Sequence, residues 1–169
     1  MTGRLNSGPD EESPVRFRMA TAADAPRLIE LINSAFAVET FLDGTRTDAE
    51  RLAEAMEKGS ILTAEDGDGR LVASVYMAQR GERGYLGMLA VDPARQGQGL
   101  GKQMLEAAEE FLRAQGFEGV DITVLSLRPE LPPLYRKLGY VETSTEEFKP
   151  SRPLRDGVAC HCIVMSKRL

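Results

Sequence analysis

The hydrophobic positions of the chain change repeatedly between two periods, one typical of strands and one typical of helices. Apolar and polar residues alternate with a period of two in several short segments, which predicts half-buried strands. Elsewhere apolar residues recur every three or four positions, which predicts amphipathic helices. The predicted strands are 15–20, 61–66, 71–80, 85–91, 120–125, 140–145 and 158–166, and the predicted helices are 21–37, 47–56, 100–115 and 132–138.

The order of these elements favours one α+β domain. Short glycine-containing turns at 67–70 and 81–84 join three successive strands, which is typical of an antiparallel meander. The strand 85–91, the helix 100–115 and the next strand then follow one another, and this order implies a parallel crossover. We see neither an internal repeat nor a second core. We therefore expect a single domain over 15–169 with a mixed, mostly antiparallel sheet.

Composition and charge narrow the classes of partner. The chain has 169 residues and a formal net charge of −5. This charge argues against a nucleic-acid partner, because phosphate binding needs clustered Lys and Arg. No apolar run approaches the roughly 18 residues of a membrane span, and residues 1–14 lack the apolar centre of a signal peptide. We therefore expect a disordered polar leader over 1–14, no membrane partner and a cytoplasmic location.

Two cysteines stand close to the only histidine, in the segment VACHCIVMS. On a strand Cys160 and Cys162 would point to the same face and His161 to the other. A disulfide across one residue is geometrically poor, and one histidine does not supply a conventional zinc shell. We interpret the cysteines as small apolar strand residues, expect no metal, and note that reduced thiols fit the cytoplasm.

Three glycines at every second position separate the strand 85–91 from the clearest helix, in the stretch RQGQGLG. Three glycines cost backbone entropy on folding, so their presence should be compensated by some other gain. The leading explanation is an anion that is held by bare backbone amides. The dinucleotide pattern G-x-G-x-x-G fails, because Lys102 or Met104 occupies its third glycine position. The P-loop pattern also fails. The pattern Q-x-x-G-x-G fits residues 96–101, which either wrap a pyrophosphate or form a flexible turn.

The wider stretch resembles a known family. Residues 89–116, LAVDPARQGQGLGKQMLEAAEEFLRAQG, resemble the acyl-CoA-binding core of the GNAT N-acetyltransferase superfamily. Residues 132–143, PPLYRKLGYVET, resemble that family's LYxKxGF segment. The resemblance extends over 15–163. It implies acetyl-CoA as co-substrate, no metal, and a GNAT-like fold with helices on both faces of the sheet and one parallel strand pair splayed for the CoA arm.

The resemblance also implies a set of cofactor contacts. In the family the pantetheine arm fills the gap between the splayed strands, and a bulge, here near 87–89, aims one N–H at the acetyl carbonyl. The residues placed beside the pantetheine are Leu89, Ala90 and Val91. The residues placed around the pyrophosphate are Gln96, Gly97, Gln98, Gly99, Leu100, Gly101 and Lys102.

The tyrosine that matches the family's general acid is Tyr135. A phenol with a pKa of about 10 could protonate a departing thiolate whose reference pKa is about 8.5. Tyr135 also belongs to an apolar helical stripe, so simple packing is the alternative. Many relatives carry an asparagine seven residues earlier, where this chain has Arg128. Arg128 could bind a cofactor phosphate or a substrate carboxylate, or be a surface charge.

The general base and the acceptor site carry weaker signals. The attacking amine must be neutral, so a base is expected. The candidates are Glu39 and Asp43 after the first helix, Glu82 in a hairpin, or a water molecule. Two loops line the acceptor site in relatives. In this chain they carry Phe41, Arg46, Arg152 and Arg155.

Three functions remain to be distinguished. The first is an acetyl-CoA-dependent transferase that acetylates a primary amine of a small molecule or peptide by direct attack, with Tyr135 as general acid. The alternative is a catalytically reduced CoA-binding regulatory or interaction module. The third is a nucleotide-binding protein of another type, against which the two failed motifs argue. The acceptor and the oligomeric state are open, although homodimers are common in the family that the chain resembles.

Overall fold

The computed structural model describes residues 14–150 and 152–169. The predicted leader thus lies outside the described residues, apart from Pro14. The strands are β1 (Arg16–Met19), β2 (Ser60–Glu65), β3 (Leu71–Arg80), β4 (Arg83–Val91), β5 (Gly119–Leu125), β6 (Val141–Glu147) and β7 (His161–Arg168). The helices are α1 (Ala25–Phe36), α2 (Ala49–Lys58), α3 (Leu100–Ala114) and α4 (Leu131–Lys137), with short 3₁₀ turns at Ala22–Asp24 and Pro93–Arg95.

The strands of the described chain form one seven-stranded sheet in the order β1-β2-β3-β4-β5-β7-β6. Strands β2 to β4 form the predicted antiparallel meander, and β1 pairs antiparallel with β2. Strand β5 lies parallel to β4, as the strand–helix–strand order predicted, and β7 pairs antiparallel with both β5 and β6. The predicted α+β class with one parallel strand pair is therefore confirmed.

The helices cover both faces of this sheet because the strand side chains alternate. Ile61 packs with α1 and α2, whereas its neighbour Leu62 packs in the cluster that contains α3. Tyr76 and Val75 of β3 divide between the same two clusters. Successive side chains of a strand point to opposite faces, so a strand buried on both faces needs apolar residues at both parities. The prediction of helices on both faces is confirmed.

Helix α3 has the apolar stripe that the sequence predicted. Met104 and Ala108 are fully buried, and Leu112 is nearly so. The stripe packs on β3 and β4. Near the end of this face the buried carboxylate of Glu109 accepts hydrogen bonds from Lys167 Nζ, at 2.8 and 2.9 Å. This contact fixes α3 against β7, the neighbour of β5 in the sheet.

The closing strand begins and ends later in the chain than predicted, at 161–168 in place of 158–166. Strand β7 begins at His161, so Cys160 lies just outside it and the two cysteines do not share a strand face as expected. Cys162 is buried, whereas Cys160 is half-buried and accepts a hydrogen bond from the Ser126 hydroxyl at a distance of 3.6 Å. No helix in the described ranges is both long enough and apolar enough to cross a membrane.

Candidate active site

A cavity of about 1110 Å³ opens where β4 and β5 part. The two strands pair over only three positions, from Gly84 opposite Val120 to Leu86 opposite Ile122. Beyond this point β4 and β5 no longer pair with each other. The cavity walls include Phe36 of α1, from one face of the sheet, and Leu105 of α3, from the other. The gap therefore passes through the sheet and can be entered from two sides.

A β-bulge lies at the point of separation. Ser74 pairs with Ala90 while Tyr76 pairs with Gly87, so β4 contains one extra residue between these pairs. Met88 has a φ of 47°, a left-handed conformation that is uncommon for any residue except glycine. Such strain often accompanies binding sites, where a bulge redirects backbone groups. The structure therefore has the bulge that the resemblance implied near 87–89.

The predicted pantetheine residues divide between the two sides of β4. Leu89 and Val91 line the cavity. Ala90 is fully buried in the cluster formed with α1 and α2, so its side chain faces away from the other two. The backbone of all three residues runs along the part of β4 that does not pair with β5. Ala90 can therefore contact a ligand in the gap through its main chain but not through its side chain.

The glycine loop reaches the cavity through Gln96. Gly97 and Gly99 have φ values of 82° and 79°, which side chains rarely permit. Helix α3 begins directly after Gly99, which offers no side chain to cap the helix. The first backbone N–H groups of a helix lack intrahelical partners. The end of α3 therefore presents bare amides and the positive end of the helix dipole, an arrangement suited to an anion.

The side chains of the loop have modest contacts of their own. Gln96 lines the cavity and donates from Nε2 to the carbonyl of Val91 at 3.4 Å. Lys102 is exposed and lies 3.7 Å from Glu106 one turn along α3. Leu100 is buried in the core, so its side chain serves packing. The loop's capacity for an anion thus resides mainly in its backbone.

Tyr135 lies on α4 and lines the same cavity. Its ring packs edge-on against Tyr140, with 5.8 Å between the ring centroids. Its hydroxyl has no hydrogen-bond partner among the described residues, whereas the hydroxyl of the buried Tyr140 donates to Glu109. Burial raises the pKa of Tyr135 to about 12, and the nearby positive charge of Arg128 opposes part of that rise. The phenol is therefore a neutral proton donor at physiological pH.

Arg128 is a partly buried member of an ion-pair network. Its Nη1 lies 3.0 Å from Glu39 Oε2, and its Nε lies 2.6 Å from Glu130 Oε1. The other carboxylate oxygen of Glu39 lies 2.8 Å from Arg152 Nη2. The surface-charge alternative for Arg128 does not fit this environment, because the side chain lines the cavity and is only 17% exposed.

The same network changes the assessment of the predicted bases. Both oxygens of Glu39 are held by arginines, and Glu39 is only 4% exposed, so it is poorly placed to take a proton from a substrate. Asp43 is exposed and lies 3.3 Å from Arg155. Asp43 and Glu82 are absent from the cavity wall. The expectation that Glu39 or Asp43 acts as the base therefore finds no support in their geometry.

The structure adds cavity residues that the sequence pattern did not single out. The Tyr85 hydroxyl lies 3.0 Å from the Thr123 hydroxyl across the β4–β5 gap. Glu147, on the fully exposed strand β6, also lines the cavity. Its strand is polar at every position after Val141, so no periodic signal distinguished it. Of the four predicted acceptor-loop residues, Arg46 and Arg152 line the cavity, and Phe41 and Arg155 do not.

Comparison with known proteins agrees with this geometry. A family model described as the Acetyltransferase (GNAT) domain matches residues 30–151, which is more than half of the chain. The chain belongs to the GNAT acetyltransferase family. The predictions of a GNAT-like fold and of an acyltransferase are confirmed at the level of this family.

Individual GNAT relatives differ in length. The chain is 30% identical over 166 residues to an S-alkylcysteine N-acetyltransferase of Bacillus subtilis, covering 90% of each chain. It is 33% identical over 129 residues to a mycothiol acetyltransferase of Clavibacter sepedonicus, but spans only 42% of that protein. Among solved structures, the ribosomal-protein-S18-alanine N-acetyltransferase of Escherichia coli matches with a TM-score of 0.73 and 20% identity, over 92% of this chain and 94% of that one.

A second solved structure is a GNAT phosphinothricin acetyltransferase of Sinorhizobium meliloti in complex with acetyl-CoA. It matches with a TM-score of 0.70 and 19% identity, over 92% of this chain and 88% of that one. At this identity the likeness concerns the fold. Within residues 14–150 and 152–169 the structure contains no group of three or more His, Cys, Asp or Glu side chains placed to hold a metal ion.

Proposed function

We propose that this protein transfers an acetyl group from acetyl-CoA to the primary amine of a small molecule or peptide. One observation carries the proposal: the cavity between β4 and β5 reaches Gln96, where the glycine loop leads into the uncapped start of α3. An extended thioester arm fits such a gap, and the bare amides at its end suit a pyrophosphate. The backbone of Leu89 to Val91, which does not pair with β5, would hold the arm, and residues 96–102 would hold the pyrophosphate.

The proposed reaction is a direct attack within the cavity. The neutral amine attacks the acetyl carbon, the carbon–sulfur bond breaks, and the amine proton passes to water or a base. A backbone N–H at the Met88 bulge would stabilise the negative charge that develops on the acetyl oxygen. The S-alkylcysteine N-acetyltransferase that is similar over 90% of both chains supports an acceptor of this general kind.

Tyr135 is the proposed general acid for the thiolate. The gap between a pKa of about 12 and a reference thiol pKa of about 8.5 corresponds to about 5 kcal/mol. The same buried walls raise the pKa of a thiol as well, which narrows this gap. A positioned proton donor typically contributes about 10²–10⁴-fold to the rate.

A CoA-binding module without catalysis is the second candidate. Two observations favour it: the uphill proton transfer from Tyr135, and Arg128 in place of the usual asparagine. The free thiols of Cys160 and Cys162 support a cytoplasmic location for either candidate. A homodimer stays a prediction.

The two candidates are separated by binding and turnover measurements on one variant. Acetyl-CoA at about a hundred times its Kd stabilises the fold by roughly 2.7 kcal/mol, which raises the Tm by about 5–10 °C. For Tyr135→Phe we expect this Tm rise to persist while kcat, followed by release of the CoA thiol, falls about 100-fold or more.

The matched control is Tyr140→Phe, which removes one hydroxyl from the neighbouring ring. Its hydroxyl donates to Glu109 at 3.2 Å and does not line the cavity, so we expect unchanged turnover. Wild-type protein that binds acetyl-CoA but acetylates no amine would favour the binding module. Absence of any Tm rise at saturating acetyl-CoA would contradict both candidates.

A further inference from the structure

An arginine at the α1 side of the cavity has no ionic partner among the residues that the structure describes. Arg46 lines the cavity and is half-buried. Its guanidinium lies over the ring of Phe36, with Cζ 5.2 Å from the ring centroid. No carboxylate of the described residues lies within ion-pair distance of it. In contrast, Arg128 and Arg152, which line the same cavity, pair with two carboxylates and with one. Arg46 is therefore held in place by an aromatic ring and left free to bind an anion.

An unpaired and partly buried cation is costly for a protein to maintain. Burial lowers the pKa of Arg46, although the nearby charge of Glu39 acts in the opposite direction. Charged side chains are rarely buried without a partner, because water no longer solvates them fully. Stacking on Phe36 recovers part of this cost and fixes the plane of the guanidinium. A fixed planar fork is the geometry that binds a carboxylate through two parallel hydrogen bonds.

The charged groups around Arg46 do not supply the anionic partner that its guanidinium lacks. Glu39 is a buried carboxylate whose charge acts on Arg46, but both its oxygens already accept hydrogen bonds from Arg128 and Arg152. The Nε of Arg152 is buried without any hydrogen-bond partner among the described residues. The described cavity wall carries five cationic side chains and four carboxylates, although the chain as a whole has a net charge of −5. The wall has an excess of one positive charge and suits a monoanion.

We propose that the acceptor carries a carboxylate as well as its amine, and that Arg46 binds this carboxylate. The acceptor class is then that of free amino acids and similar amino carboxylates. This inference rests on the proposed acetyl transfer. The carboxylate would lie at the α1 side of the gap, and acetyl-CoA would enter from the α3 side. Polyamines, which carry positive charge alone, would be disfavoured by the same wall.

The first test compares wild-type activity on matched amines. Release of the CoA thiol is measured with L-methionine, S-methyl-L-cysteine and L-phenylalanine, and with the carboxamide of each. The rates are expressed as kcat/KM per free amine, because a carboxamide has a lower amine pKa than its parent acid. We expect the acids to be preferred by about tenfold or more, since each carboxamide lacks the charged partner of Arg46.

The second test assigns the preference to Arg46. Arg46→Gln should lower kcat/KM for the acids by about 10- to 100-fold and leave the carboxamides within about threefold. Arg46→Lys keeps the charge but loses the fork, and should fall between wild type and Arg46→Gln. Arg155→Gln is the control. It removes the same charge from an exposed position that does not line the cavity, so the acid preference should persist.

The outcomes separate this inference from the function on which it rests. It is overturned if wild type uses carboxamides as well as acids, or if it binds acetyl-CoA but acetylates no acid of the panel. It is also overturned if Arg46→Gln, folded and still stabilised by acetyl-CoA, lowers both substrate classes equally. Loss of acetyl-CoA binding and of all amine acetylation in wild type would instead contradict the proposed function itself.

Discussion

Replacing Gly101 by alanine should change stability and ligand binding in opposite directions. Gly101 is the second residue of α3 and, unlike Gly97 and Gly99, does not have a positive φ. An added Cβ would have the Cγ2 of Val91 as its nearest neighbour, at an ordinary contact distance of 3.6 Å. The unliganded protein should therefore accept the methyl group without strain.

The magnitude follows from the local geometry. Alanine is favoured over glycine within a helix by up to about 1 kcal/mol, and less in the first turn. We expect a gain of about 0.5 kcal/mol and a Tm rise of about 1–2 °C. Val91 lines the cavity, so the new methyl would lie at the end of the gap where the pyrophosphate is proposed. Loss of one hydrogen bond to a charged phosphate costs about 1.5–3 kcal/mol, or roughly 10- to 100-fold in the Kd of acetyl-CoA.

Differential scanning fluorimetry without ligand and titration calorimetry with acetyl-CoA measure the two effects. Gln103→Ala is the matched control, because Gln103 is exposed in the same first turn. It should leave the Kd within about twofold. If Gly101→Ala is folded and binds acetyl-CoA as tightly as wild type, the pyrophosphate does not lie against this helix start. A loss of more than about 1 kcal/mol in stability would refute the local geometry instead.

Two buried ion pairs give further predictions for stability. Asp24 is 2% exposed and accepts hydrogen bonds from Arg18 at 2.8 Å, and these bonds lower the pKa of Asp24. Asp24→Asn should therefore lower the free energy of unfolding, measured with urea, by about 2–3 kcal/mol. This carboxylate stabilises the fold above its unfolded pKa of about 3.9. The difference in unfolding free energy between wild type and Asp24→Asn should therefore be full above about pH 5 and shrink as the pH falls towards about 2. A difference that stays constant with pH would contradict the lowered pKa of Asp24. Lys167→Met should cost about 2–3 kcal/mol, because it leaves the buried Glu109 without its cation. Glu109→Gln in that background should recover part of the loss, and a cost of Lys167→Met below about 0.5 kcal/mol would show that the pair contributes little.

Most of the helices and strands could be predicted from the sequence because their signals are local. The stripe that contains Met104 and Leu112 repeats with the helical period, and the structure buries both residues against the sheet. The start of β7 was predicted three residues too early, at residue 158. No turn residue marks its true start at His161, since the preceding residues are as apolar as those of the strand.

The candidate site was predicted only in part. The glycine loop has a local pattern, and its positive φ values at Gly97 and Gly99 agree with the residue type found there. Met88 adopts a left-handed conformation without being glycine, so residue preference gave no signal of its own for it. Its bulge was expected through the resemblance to the GNAT family. Glu39 illustrates a residue that the sequence suggested and the structure does not support as a base. A loop carboxylate is normally exposed, but Glu39 is buried and paired with two arginines.

The sequence by itself determined most of the local elements and the glycine start of α3. Each of these depends on residues within one or two turns of one another. The tertiary structure alone decided the charge arrangement of the cavity. Glu39 meets Arg128 and Arg152 across 89 and 113 residues of chain. Arg46 has no carboxylate partner among the described residues because Glu39 pairs with those two arginines. Pairing between residues so far apart in the chain is decided by tertiary packing.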